Sequence, residues 1–423
     1  MRKLVIVGGG TAGTILANRA SAGLGRGWQT VVIDPARRHL YQPDLVRFAF
    51  GDDDAQDLFR PRRATFVPAV DWMRAEVESI DPAARAVRLR DPAARVDWDV
   101  LVIATGAHLD FAGVAGTTGP GWRESILDFY TVDGATALRR ALGRFRGGRL
   151  VVSVAEGPIK SPLAPLEFLF LADEHFRRLG LREAVDLVYA TPLAGPPGPP
   201  ATAAALGALC RRKQIAIEAG FAPAHVDGAA RVLHATGGRA LPYQLLVSVP
   251  PHRGAPFLAD SGLVDERGFV TLSPDGTSLA AGHRDVYALG DAAAAPLKAG
   301  AAARLAAEAL AADLVAAATG RPSAPGQRGS VHCFVDTGWG RGVLVDLGAT
   351  GEAPAVGTPP ARFAPFTALV ESRRNHWGKL GARGLYWRRL LGGVGLPLGR
   401  AARSSARSDA PRVAGPTEAS NGG

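Results

Sequence analysis

Three features of the sequence predict an α/β chain with two doubly wound, Rossmann-like halves. An apolar strand runs into a glycine-rich turn at the start, a second strand-loop-helix-strand unit lies mid-chain, and a late strand ends in Gly290-Asp291. The opening strand is Lys3-Leu4-Val5-Ile6-Val7, and it leads through the GxGxxG turn Gly8-Gly9-Gly10-Thr11-Ala12-Gly13 into a helix. Gly8 permits the tight bend, Gly10 lets the backbone approach a pyrophosphate and Gly13 lets helix pack on strand, so that free helix N–H groups face the phosphates. The next strand, Thr30-Val31-Val32-Ile33, ends in Asp34, a carboxylate spaced for a ribose hydroxyl. Glycine-rich turns also arise for structural reasons alone. Strand, turn, helix, strand and terminal acid in this order favour a dinucleotide, FAD above all.

Composition sets the outer bounds. The chain has 423 residues, 47% of them hydrophobic and 21% charged, enough for two or three domains with substantial cores. Its two cysteines, Cys210 and Cys333, exclude a disulfide scaffold and a zinc ribbon, and no metal site is expected. The net charge of +10 is carried mainly by arginines spread along the chain, with the densest cluster near the C-terminus. No aromatic-plus-basic module accompanies that charge in the folded region, which argues against nucleic acid as partner. There is no apolar run of about 18 residues, and the first strand begins too early for a signal peptide, so a cytoplasmic location is expected.

Further along, residues 75–81 and 86–89 alternate like a hairpin, and Trp98-Asp99-Val100-Leu101-Val102-Ile103-Ala104-Thr105-Gly106 reads as a buried strand whose small terminal residues allow close backbone approach to a cofactor. The second unit starts at Leu150-Val151-Val152-Ser153-Val154, continues in a helix over 166–179 and ends in the strand at 185–190. Its loop, residues 156–165, holds one glycine and three prolines and cannot form a GxGxxG phosphate turn. This half is therefore a degenerate NAD-like domain without a nucleotide. Cys210 lies on an alanine-rich helix far from any cofactor motif and reads as inert. The expected organisation is an FAD-binding domain over 1–112 and 243–322, the degenerate domain over 113–242, a covering region over 323–399 with an amphipathic helical segment, and a disordered tail over 400–423.

Gly8 to Gly13, Ala104-Thr105-Gly106 and Gly290-Asp291 together resemble the two-dinucleotide-binding-domain flavoproteins of the pyridine nucleotide-disulfide oxidoreductase superfamily. Within it, Tyr41-Gln42-Pro43-Asp44-Leu45, Val249-Pro250-Pro251-His252, Cys333-Phe334-Val335-Asp336-Thr337-Gly338 and Asn375-His376-Trp377-Gly378-Lys379-Leu380 are similar to the sulfide:quinone oxidoreductase branch. The resemblance implies an adenine contact at Val77, a ribityl contact at Asp291, flavin-lining roles for Gln42 and Lys298, and an electron path from sulfide through FAD to a membrane quinone. It also implies a cysteine pair, of which Cys333 is one member. The other follows a lysine in a KCxxAP-like stretch, and here the match is Lys160-Ser161-Pro162-Leu163-Ala164-Pro165, so serine replaces the partner thiol. Serine can neither form a disulfide nor carry a persulfide. What remains is a single-thiolate route through Cys333, which needs a depressed pKa supplied by Lys160 or Lys298; otherwise Cys333 is a core residue. The resemblance makes Glu167 a proton acceptor, its alternative being a first-turn residue that stabilises a helix N-terminus.

Trp377, Tyr386 and Trp387, interspersed with Lys379 and five arginines, suit a bilayer interface, where each basic residue adds about 1 kcal/mol of attraction to an anionic surface. Quinone docking and peripheral attachment to the inner face of the cell membrane follow as expectations. The alternative is a helix pair that covers the core or a homodimer partner. Two other functions stay open: a type II NADH:quinone reductase-like enzyme, and a flavin protein that has lost the sulfide chemistry.

Overall fold

The computed structural model describes residues 1–52, 54–91, 94–274, 277–321, 331–348, 362–363 and 365–392. The expected tail over 400–423, and the parts of the covering region outside these ranges, lie outside the described residues.

The first half is built on a five-stranded parallel sheet. Its strands run Val286–Ala288, Val100–Ile103, Arg2–Val7, Trp28–Ile33 and Val70–Met73 across the sheet, with Leu4 in register with both Thr30 and Val100. Alternation along the central strand decides what covers each face. Leu4 and Ile6 point into a core shared with the helices Thr11–Leu24 and Gly300–Thr319. Val5 and Val7 point to the other face, against Ile80, Val87 and Val96 of a three-stranded antiparallel sheet. Both faces are buried, as parallel sheets require. The hairpin strands Val77–Asp81 and Ala86–Leu89 fall where the sequence alternation puts them.

The second half has its own parallel sheet, ordered Ile126–Leu127, Leu245–Val249, Gly148–Val154, Val185–Ala190 and Ile215–Glu218. This corrects the expected boundary at residue 243. Strand Leu245–Val249 pairs with Gly148–Val154, so the chain re-enters the first half only after it, where His252–Arg253 pairs with His108–Leu109.

A C-terminal antiparallel pair, His332–Gly338 with Arg341–Asp346, packs Val335, Val343 and Val345 into the core around helix Ala164–Arg178. Helix Arg373–Leu385 lies on this pair and runs on through residues 386–390, whose Tyr386 joins the core of the first half. Ser372 caps it, its hydroxyl accepting from the Asn375 N–H.

Candidate active site: a dinucleotide cradle and a partly accessible thiol

The glycine turn has the geometry its sequence requires. Gly8 has φ +101°, and a Cβ there would lie 2.5 Å from the Ala104 carbonyl oxygen. A Cβ on Gly13 would drive into the Gly8 carbonyl, whereas one on Gly10 meets nothing within 4 Å. Helix Thr11–Leu24 therefore begins beside open space, with no side-chain cap and no acidic residue in its first turn. Its first N–H groups are free to bind an anion. Asp34 accepts from the Gly9 N–H at 2.6 Å. With Gly8, Val77, Thr105 and His108 it lines a cavity of ≈ 1610 Å³.

Beside the glycine turn the Thr105 Oγ1 and the Asp291 Oδ1 are buried without a hydrogen-bond partner among the described residues. Gly106 and Gly290 both take positive φ, and Gly290 fits between the Cβ atoms of Ala12 and Ala303. A cradle that a Cβ would fill, a ribose-spaced carboxylate and two orphaned oxygens on one path fit FAD. Thr11, Ala12, Asp34, Val77, Thr105 and Asp291 would hold it.

Lys298 is buried against the Asp291 turn. Its ammonium donates to the backbone carbonyls of Asp291 (2.9 Å) and Ala293 (2.8 Å) and lies 3.5 Å from the Phe269 ring centroid. Burial lowers its pKa to about 8 against the pull of Asp291 and Asp265. It clamps the Asp291 turn, and its own carbonyl accepts from the Ser161 N–H at 2.7 Å. Lys160, on the same loop, is also depressed by burial and is supported by Asp291 and Asp128. The Tyr130 hydroxyl and the His252 Nε2, both buried and unpaired among the described residues, lie in this neighbourhood: Lys160 is 5.5 Å from the Tyr130 ring centroid, and the two rings meet edge-on. Ser161 is exposed, with φ +53°, and Gln42 is exposed at the start of a short turn.

Cys333 sits on strand His332–Gly338, partly accessible but densely surrounded. Burial pushes its thiol up to about 12; Lys379 pulls the other way and Glu167 adds to the rise. This corrects two expectations. The pKa is raised rather than depressed, and the cation acting on the thiol is Lys379 rather than Lys160 or Lys298. Lys379 in turn is no membrane contact: its ammonium donates to the Glu167 Oε1, with both side chains at least nine-tenths buried. Glu167 stands in the first turn of its helix and is itself buried, which raises its pKa, opposed by Lys379 and reinforced by Asp336. Asp336 is fully buried and accepts from Arg47 at 2.7 Å while contacting the His376 Nδ1 at 2.6 Å.

The aromatic cluster also divides. Trp377 is 68% exposed. Tyr386 is buried, and Trp387 packs on His39, Tyr41 and Tyr386, so these two face inward and are not available to a bilayer. Sequence reading missed His39, Arg62, Arg47, Asp336 and His376. The Cys-Phe-Val-Asp and Asn-His-Trp runs held Asp336 and His376 in view, but His39, Arg62 and Arg47 carry no local signal, because their partners are 23 to 347 residues away.

The sequence profile described as pyridine nucleotide-disulphide oxidoreductase matches residues 2–312. The chain belongs to that family. It is an FAD-dependent oxidoreductase. The mitochondrial sulfide:quinone oxidoreductase of Mus musculus is 23% identical over 400 residues, covering 92% of this chain and 86% of the relative. The structure of the sulfide:quinone oxidoreductase from Aquifex aeolicus superposes with a TM-score of 0.77 at 18% identity, covering 93% of this chain and 92% of that one. A ferredoxin reductase from Rhodopseudomonas palustris superposes at 0.62 with 18% identity over 82% of each chain, so the fold alone does not name the electron donor.

Proposed function

We propose that this flavoprotein takes electrons from sulfide or a related small sulfur donor and passes them through FAD to a membrane quinone. The observation that carries this reading is one thiol, Cys333, set against the buried pair of Glu167 and Lys379, in a chain whose curated relatives are sulfide:quinone oxidoreductases. FAD, when bound, supplies the two-electron acceptor. The chain's own residues supply a sulfur atom, a carboxylate that exchanges protons and a cation that balances charge. At neutral pH the Cys333 thiol stays protonated, so sulfur chemistry there requires Glu167 to accept the thiol proton while Lys379 stabilises the anion left behind. Cys210 forms no disulfide with Cys333. It is buried on helix Pro200–Arg212, its thiol pushed up to about 12 by burial.

The loop at residues 156–165 weighs against NADH as donor. Glu156 pairs with Arg253, the Gly157 carbonyl accepts from Arg267, and the Ser161 N–H is held by Lys298. Its backbone is engaged with the protein rather than arranged as a phosphate cradle. For the acceptor side, Trp377, Leu380 and Val370 are exposed beside Arg373 and Arg374, a small apolar and basic patch suited to a bilayer surface. Among the described residues no helix is long and apolar enough to cross a membrane.

Anaerobic mixing of the purified yellow protein with sulfide, and separately with NADH, tests the reading by flavin absorbance. Bleaching by sulfide alone is expected, with oxidation restored by a soluble quinone. Rapid bleaching by NADH, or indifference to sulfide, overturns it.

A further inference from the structure

Behind the glycine turn a chain of polar groups runs from the protein interior to the first residue of helix Thr11–Leu24. Arg62, buried, donates to the Gly9 carbonyl, and its guanidinium lies 3.4 Å from Asp34. The same Nη1 approaches the His39 Nδ1 at 2.9 Å. His39 Nε2 is 2.6 Å from the Tyr386 hydroxyl, which is 2.8 Å from the Thr11 hydroxyl. Arg62, His39 and Tyr386 are all buried, while Thr11 at the end of the chain is partly accessible.

The direction of this chain is fixed by its first member. A guanidinium has donors only, so the His39 Nδ1 facing it must accept. The neutral ring then carries its proton on Nε2 and donates to Tyr386. With its lone pair so engaged, the tyrosine hydroxyl donates to Thr11. Burial and the Arg62 charge push the His39 pKa down to about 3 against the opposing pull of the Gly9 carbonyl, so burial and Arg62 keep the ring neutral. Thr11 is left as an acceptor from Tyr386 whose own proton is free, at the anion-binding end of the helix.

We propose that Arg62, His39 and Tyr386 form a one-way donor relay that presents the Thr11 hydroxyl as a hydrogen-bond donor to the FAD pyrophosphate. Tyr386 is thus a positioning residue, and the C-terminal segment that carries it is part of the cofactor site. The same segment is anchored alongside by Asn18, whose amide donates to the Leu391 and Thr65 carbonyls. Polarisation along consecutive hydrogen bonds strengthens the last of them, and a bond to a charged group is worth more than one between neutral groups.

The full chain, stripped of FAD and titrated with FAD while flavin fluorescence is followed, tests the relay. Tyr386→Phe keeps the ring and removes the hydroxyl, and about tenfold weaker binding is expected. Thr11→Val should lose as much, Thr11→Ser should retain wild-type affinity, and the Thr11→Val, Tyr386→Phe double variant should be no weaker than either single one. Unchanged affinity in Tyr386→Phe, or losses that multiply in the double variant, overturns the proposal. ¹⁵N spectra of the unmodified holoprotein give an answer independent of any variant: a His39 ring protonated at Nε2 is expected, and one protonated at Nδ1 overturns the direction of the relay.

Discussion

The ammonium of Lys379 donates to the carboxylate of Glu167 across 212 residues of sequence, joining the C-terminal helix to the helix that follows the degenerate loop. Both side chains are at least nine-tenths buried, and each is the other's charge partner. Breaking such a pair from one side leaves a buried ion without a partner, which costs more than removing both. Lys379→Met is expected to lower stability by about 3 kcal/mol in urea unfolding, and adding Glu167→Gln should restore part of it. If the double variant is as unstable as the single one, the two groups are not a charge pair in solution.

Cys333 supplies a pH signature. Burial raises its thiol to about 12, so the unfolded chain, with an ordinary thiol, releases the proton first as pH rises. Between about pH 8.5 and 12 the native state therefore holds more protons than the unfolded one, and this thiol's contribution to stability is lost through that window. Alkylation of Cys333 by iodoacetamide, read by mass spectrometry, should be slow at pH 7 and still accelerating above pH 10. A rate that levels off near pH 7 would mean a depressed thiol and would restore the thiolate route at rest. Lys379→Met should push the acceleration to still higher pH, because Lys379 is the cation that opposes the rise.

His39 and His252 titrate in the opposite sense. Burial holds each near 3, with Arg62 acting on the first and Lys160 on the second. Below about pH 6.5 the unfolded chain takes up protons that the native state refuses, so stability present above that pH falls as pH drops toward 3. Each histidine contributes a slope of about 1.4 kcal/mol per pH unit in that window. Urea midpoints measured between pH 7 and pH 5 should fall, and a His252→Phe variant should show a shallower fall. An unchanged slope in that variant would mean that His252 is accessible to protons in the native state.

The glycine turn separates folding from binding. Gly13→Ala drives a Cβ into the Gly8 carbonyl and should yield a chain that neither folds fully nor retains FAD. Gly10→Ala meets nothing within 4 Å, so the FAD-free protein should melt as the wild type does. Its FAD affinity should nevertheless drop by at least tenfold if the pyrophosphate approaches the backbone there. Equal affinity in Gly10→Ala would move the pyrophosphate away from this turn.

Much of this layout was legible in the sequence because it is local. The alternation of Leu4 and Ile6 against Val5 and Val7, the turn at Gly8 and the hairpin at residues 77–89 each carry their own period or steric demand. The boundary at residue 243 was misread for a physical reason. A strand such as Leu245–Val249, apolar but for Ser248 and buried on both faces, says that it is buried but not which sheet buries it. Lys379, Tyr386 and Trp387 were misread because basic and aromatic residues on one helix suit a membrane or a protein interior equally well. Lys379, Arg383 and Tyr386 share a helix face by their spacing, and only the partners brought up from the rest of the chain, Glu167, Asp44 and Thr11, show that this face is turned inward.

That division of one helix into an inward and an outward face sets the last prediction. Trp377 and Leu380 are exposed, with Arg373 and Arg374 beside them, whereas Trp387 packs on His39 and Tyr41. If the exposed patch meets the bilayer, Trp377→Ala should weaken co-sedimentation with vesicles containing anionic lipid and slow quinone reduction, while FAD content and melting temperature stay unchanged. Trp387→Ala should do the reverse: vesicle binding is retained, and stability and FAD retention fall as the aromatic cluster under Tyr386 loosens. Raising the salt concentration should weaken vesicle binding of the wild type, because the arginine contribution is screened within about 10 Å at 0.1 M. Equal vesicle binding by wild type and Trp377→Ala would exclude this face as the docking surface.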